Sequence, residues 1–119
     1  MKYRFTSPGD VYVCDLGEVC GSEQSGKRLV IVVSSASIAA HSPTVTIVPI
    51  TAQEKPIFKT HYLLHSNSYP KFHQQINTVL CEQVRTIDKS RLGEKVCSLT
   101  GYDLYNIMLC LQYNFTMIS

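Results

Sequence analysis

Residues 21–30, GSEQSGKRLV, carry a loop of glycine, serine and charged side chains straight into Arg28, which opens one of the most apolar runs of the chain. An arginine at the mouth of a buried strand is either a surface charge or a cation aimed at an anion. Its guanidinium keeps its proton at any working pH and presents a planar fork that fits phosphate oxygens. A site needs a second polar group, and the sequence offers Thr51 at the end of a second apolar run, TVTIVPI over residues 44–50.

The two runs, RLVIVVS (28–34) and TVTIVPI, flank SASIAAHSP. If they pair as an antiparallel hairpin turning near residues 38–40, opposed residues keep a roughly constant summed number, and Arg28 falls beside Thr51. A fixed cation and a hydroxyl would then share one end of a rigid sheet, next to the loop bearing Ser22, Glu23 and Gln24. That pairing suits a phosphodiester. Spacing alone stops at an anion site, with a strand-end surface arginine and a loop-capping threonine as the alternative.

The elements that must position this pair are short. DVYVCDL (10–16) follows a Pro-Gly turn signal and reads as a strand, as do the two runs above. Pro49 donates no backbone hydrogen bond and is expected near a strand end or edge. HYLL (61–64) is a further strand, TVLCEQVRTI (78–87) a longer one, DKSRLG (88–93) a turn and residues 95–99 a last strand. The period then changes: Leu104, Ile107, Met108, Leu111 and Phe115 fall at helical spacing, and Thr100 with Asp103 has the pattern of a capping box. Tyr102, Tyr105 and Tyr113 are assigned to that helix and its packing. The fold class is mainly β with a C-terminal α-helix: a small, strongly bent barrel or sandwich with the helix packed over it.

At 119 residues the chain is read as one domain, 1–119. Its net charge of +2 is too small to make the whole surface a polyanion binder, so any nucleic-acid affinity must come from local cations. Five cysteines, an odd number without a CxxC pair, favour reduced thiols and a cytoplasmic protein. No apolar run reaches the length of a membrane span. Four histidines, His41, His61, His65 and His73, raise acid–base or zinc chemistry, but no cysteine stands at structural-zinc spacing nearby, and they are read as loop or surface side chains. Cys14 and Cys20 are read as small buried or partly buried side chains.

Taken in order, GDVYVCDL, GSEQSGKR before an apolar strand, PITAQ and EQVRTIDKSRL resemble the MazF/PemK family of toxin endoribonucleases of bacterial toxin–antitoxin pairs, over about residues 9–92. The resemblance implies a small SH3-like β-barrel of the plasmid-maintenance-toxin type. It implies a cytoplasmic homodimer that cuts single-stranded RNA, usually mRNA, without a metal or other cofactor and is inhibited by a MazE-like antitoxin. The family's catalytic arginine and threonine match Arg28 and Thr51, the pair that the hairpin already brings together. Glu23 and Gln24 match the polar pair of its flexible loop, with Glu23 a candidate to accept a proton or orient Arg28. Lys27 adds charge beside Arg28, and Gln53, Glu82, Gln83 and Arg85 match positions close to the RNA groove. Leu29 replaces the proline usual after the arginine, which restores a backbone donor and frees φ. A non-catalytic module on the same barrel is the alternative, either a gyrase poison of the CcdB type or an inactive RNA-binding protein. The absence of tryptophan argues against the former.

Overall fold

A computed structural model describes residues 4–17, 21, 26–53, 55–56, 58–72 and 76–115. Seven strands form one sheet: β1 (Asp10–Asp15), β2 (Lys27–Val32), β3 (Thr44–Thr51), β4 (His61–His65), β5 (Ile76–Leu80), β6 (Arg85–Asp88) and β7 (Leu92–Ser98). They lie in the order β4-β5-β3-β2-β1-β7, with β6 beside β3. Because β6 pairs with β3, β7 pairs with β1, and a short 3-10 turn (Lys89–Arg91) joins the two, strands β1, β2, β3, β6 and β7 make a ring. The ring is the bent barrel expected from the sequence, and β5 and β4 extend its wall.

Alternation gives each strand two apolar faces. Tyr12, Cys14, Val30, Val32, Val45, Ile47, Ile87 and Leu92 fill the ring. Val11, Ile31, Val48, Ile50 and Val79 face outward and are covered by helix α2 (Gly101–Gln112) and by Tyr69 and Phe72. The helix contributes Ile107 and Leu111 to this second core, each buried aliphatic side chain being worth about 1.5–3 kcal/mol. Its buried stripe is narrower than the predicted apolar face. Leu104 is half-buried, while Met108 and Phe115 are exposed, as are Tyr102, Tyr105 and Tyr113, so these tyrosines do not pack inward as expected.

Thr100 caps the helix by accepting from the Asp103 N–H at 3.2 Å, as the sequence pattern requires. The reciprocal half of the box is absent. The Asp103 carboxylate accepts from the hydroxyls of Tyr62 (2.6 Å) and Tyr69, and the Thr100 N–H donates to the Tyr69 oxygen instead. A helix end is thereby sewn to β4 and to the segment before β5.

Three expectations change. SASIAAHSP is not a simple turn but contains helix α1 (Ala36–His41), started by the Ser35 hydroxyl, with Ala39 and Ala40 small enough to be buried. Residues 78–87 do not form one strand: a 3-10 turn, Cys81–Gln83, separates β5 from β6. Both halves flank β3, Ile50 facing Val79 and Ile47 facing Arg85. Three residues along β3 thus correspond to six on the other chain segment, and the turn takes up the difference. Pro49 lies inside β3, at neither an end nor an edge; it faces Val30 on one side where β3 changes neighbour on the other from β6 to β5, and its missing N–H falls at that change.

Lys89 is buried, and burial pushes its ammonium below the ordinary lysine range. Its Nζ donates to the carbonyls of Arg4 (2.9 Å) and Ala39 (2.6 Å), which offsets the lost hydration and pins residue 4 and α1 against the β6–β7 turn.

Candidate functional site

The pair predicted from the hairpin lies where the register puts it. Leu29 faces Ile50, Val30 faces Pro49 and Ile31 faces Val48, so the next residues outward are Arg28 and Thr51. The base of the preceding loop is set by Gly17 and Gly26, both at positive φ, where Leu16 N–H donates to Gly26 O at 2.9 Å and Gly26 N–H to Gly17 O at 3.0 Å. Burial along β2 runs from exposed at Lys27 and Arg28 to fully buried from Val30 on. Arg28 therefore continues the inward-facing row of the barrel into solvent at its mouth.

That row can be followed across the sheet. Leu92 faces Cys14, Cys14 faces Arg28, Thr51 faces Thr78, and Thr78 faces Leu63. Directly opposed residues share a face. Thr78, buried beside Thr51, was not singled out by sequence, where it reads as one more β-branched strand residue. Leu63 is exposed at the far end, an apolar neighbour to the polar group.

The Thr51 side chain is oriented. Its Oγ1 accepts the Gln53 N–H at 3.1 Å, so the hydroxyl proton is left to be donated elsewhere. Arg85, half-buried on β6, faces Ile47, an interior position. Burial raises the Cys14 thiol above its ordinary range, while the charges of Arg91 and Arg85 oppose the shift. Arg85 thus shares the barrel interior with the residue that faces Arg28. Lys27 is exposed opposite Asp15, and Gln53 is exposed just past β3.

Glu82 and Gln83 occupy the 3-10 turn between β5 and β6. The Glu82 carboxylate lies 3.1 Å from Nε2 of His61, whose side chain is only 6% exposed. His61 lies on β4, within the strand expected over 61–64, but the reading of its side chain as a surface one is corrected: the ring is nearly buried, because Phe58, Pro56 and the Glu82 turn enclose it. His65 and His41 are exposed as expected, at a strand end and a helix end. Glu23, Gln24, Cys20 and His73 lie outside the described residues. Among the described residues no group of three His, Cys, Asp or Glu side chains is placed to hold a metal ion, and no helix is long and apolar enough to cross a membrane.

A fixed cation and an oriented hydroxyl donor at the barrel mouth, with a further arginine on an inward-facing position of β6, can bind a phosphodiester and stabilise negative charge that grows on it. Residues 7–115 match the family model for PemK-like, MazF-like toxins of type II toxin–antitoxin systems. The chain is 37% identical over 112 residues to the endoribonuclease EndoA of Bacillus subtilis, covering 93% of this chain and 95% of that protein. It is 39% identical over 93 residues to the endoribonuclease MazF of Staphylococcus saprophyticus, covering 77% and 76%. Its fold is similar to that of an endoribonuclease solved in complex with its cognate antitoxin from a mycobacterial species, with a TM-score of 0.76 at 21% identity over 96% of this chain and 98% of that one.

Proposed function

The chain belongs to the PemK-like, MazF-like toxins of type II toxin–antitoxin systems and is a MazF-type endoribonuclease, and from that premise we propose that it cuts single-stranded RNA, mRNA included, at short sequences without a metal. The reaction is attack by a 2′-hydroxyl on the adjacent phosphorus. The new 2′-O–P bond replaces the 5′-O–P bond, leaving a 2′,3′-cyclic phosphate and a 5′-hydroxyl. The phosphorane formed on the way carries extra negative charge, and Arg28 stabilises it through its fork. Thr51 gives its free hydroxyl proton as a hydrogen bond to a non-bridging oxygen. Arg28 also stands as donor to the departing 5′-oxygen. An arginine is too weak a base to take the 2′-proton, and Glu23 is assigned that proton or the orientation of Arg28.

The single observation that carries this reading is the adjacency of Arg28 and Thr51 in the β2–β3 register. Lys27, Arg28 and Arg85 supply local charge, and Gln24, Gln53 and Gln83 supply polar contacts along the RNA. The protein works as one domain over 1–119, in the cytoplasm and as a homodimer whose two mouths share a continuous groove. The exposed side chains of Tyr102, Tyr105 and Leu109 on α2, with Tyr113 just past its end, form the apolar surface that a second copy would cover. A MazE-like antitoxin inhibits by laying an acidic segment over the groove, and that complex weakens as salt is added.

The test is incubation of the purified protein and of Arg28→Ala with a long single-stranded RNA in EDTA, with cut ends mapped and their phosphates identified. Sequence-restricted cuts with cyclic phosphate and 5′-hydroxyl ends, lost in the variant, are expected. No cuts by folded wild-type protein over a broad concentration range would overturn the reading in favour of a binding module.

A further inference from the structure

Both ring nitrogens of His61 meet a polar partner. Nδ1 lies 2.8 Å from the carbonyl oxygen of Pro56, and Nε2 lies 3.1 Å from the Glu82 carboxylate. The ring therefore bridges a backbone carbonyl on one side and a carboxylate on the other. The His61 side chain is only 6% exposed, while the Glu82 side chain that meets it is 38% exposed.

The position of this three-way contact gives it a consequence. Pro56 lies in the segment that leaves Thr51, whose first turn is fixed by the Gln53 N–H on the Thr51 hydroxyl. The next fixed points are Pro56, through the His61 ring, and Phe58, whose carbonyl accepts the His61 N–H at 3.1 Å and whose ring meets the imidazole at 5.0 Å. Glu82 belongs to the turn that feeds Arg85 into β6. The neighbouring Cys81 N–H donates to Thr60 O at 2.9 Å, so the two segments are stitched by backbone as well.

We infer that His61 is a positioning residue of the cleavage site: its ring fastens the segment leaving Thr51 to the Glu82 turn, and Glu82 acts on the reaction through His61 rather than by touching RNA. This rests on the endoribonuclease reading above. The site gains a Thr51 hydroxyl and an Arg85 held relative to one another by one buried ring. A small displacement of a transition-state donor is costly even when substrate binding is intact.

Cleavage kinetics on a short single-stranded RNA, with thermal unfolding and amide hydrogen exchange of residues 52–59 in RNA-free protein, test the inference on the full chain. His61→Phe is expected to lower kcat about tenfold with KM moving less than about threefold. His61→Asn, whose amide can still donate to Pro56, recovers most of that loss. Glu82→Ala, on an exposed turn that leaves the fold intact, lowers kcat and speeds exchange over 52–59, but adds nothing in the His61→Phe background. A KM rise at constant kcat in Glu82→Ala, or additive losses in the double variant, would mean that Glu82 contacts RNA itself and would overturn the inference. Normal kinetics of His61→Phe beside active wild type would overturn the clasp alone. Inactive wild type would overturn the endoribonuclease reading and the positioning role together, with exchange still showing whether the ring holds the segment.

Discussion

Thr51→Val separates a chemical role for this residue from a structural one, because the two roles predict losses of different size. Valine matches threonine in volume, so no cavity is left in the buried position, and its β-branch suits a strand. What disappears is one hydrogen bond from Gln53 N–H at 3.1 Å. Gln53 is exposed, and water can satisfy its amide, so the stability cost is about 0.5–1.5 kcal/mol. For a chain of this size that is a fall in Tm of about 2–8 °C, which leaves the protein folded at 25 °C. If the hydroxyl donates to the phosphorane, the same change removes about 2.7–4 kcal/mol of transition-state stabilisation, a fall in kcat of about 10²–10³. Thr51→Ser, which keeps the donor, restores most of the rate. Single-turnover cleavage of a short RNA beside thermal unfolding reads both quantities. A Thr51→Val protein that cuts within about threefold of wild type, or whose loss follows its unfolded fraction, would refute the role given to the hydroxyl.

Asp103→Asn should destabilise the fold by about 1.5 kcal/mol or more, since the carboxylate that accepts from Tyr62 and Tyr69 is lost, and chemical denaturation measures it. In the native protein burial and then Asp103 hold both phenols above their ordinary range, so stability falls as pH climbs through and beyond about 10; the variant should lose less of it over the same range. Gly93→Ala places a Cβ 3.0 Å from the Val13 carbonyl oxygen in the β1–β7 pair, and a cost of about 1–3 kcal/mol in the same measurement is expected. Burial raises the thiols of Cys14, Cys97 and Cys110 and pushes Cys81 up to about 12. At pH 8 these four should alkylate slowly with iodoacetamide in the native protein and fast in urea, Cys97 leading because it is half-exposed and Lys71 and Lys95 oppose its shift; mass spectrometry of digests checks the order.

The adjacency of Arg28 and Thr51 was legible because it depends on one local hairpin. Any turn near residues 38–40 sets Arg28 beside Thr51 within a residue or two, and the α1 helix hidden in that turn changed the path of the connection without changing the sum. The capped C-terminal helix was legible for the same reason, since period and cap lie within a few residues of each other. The break at Cys81–Gln83 was not, because it answers to β3, a strand more than thirty residues away that needs two different registers along one edge. The His61 contact was hidden likewise: its partners lie five residues before it and twenty-one after it, and only the folded chain brings a carbonyl and a carboxylate to opposite sides of the ring. Tyr102, Tyr105 and Tyr113 followed helical spacing, but spacing does not tell a face turned to the barrel from one left in solvent.

The closure of the ring by β7 bears on how such a molecule is made. Ser98 reaches back to Asp10 across 88 residues of chain, and β1 has its second neighbour only when Leu92–Ser98 arrives. The β2–β3 hairpin that carries Arg28 and Thr51 closes a much shorter loop and can form well before that. During synthesis the adjacency of Arg28 and Thr51 is therefore set early, while the barrel that gives it a rigid floor is completed only when β7 has joined β1.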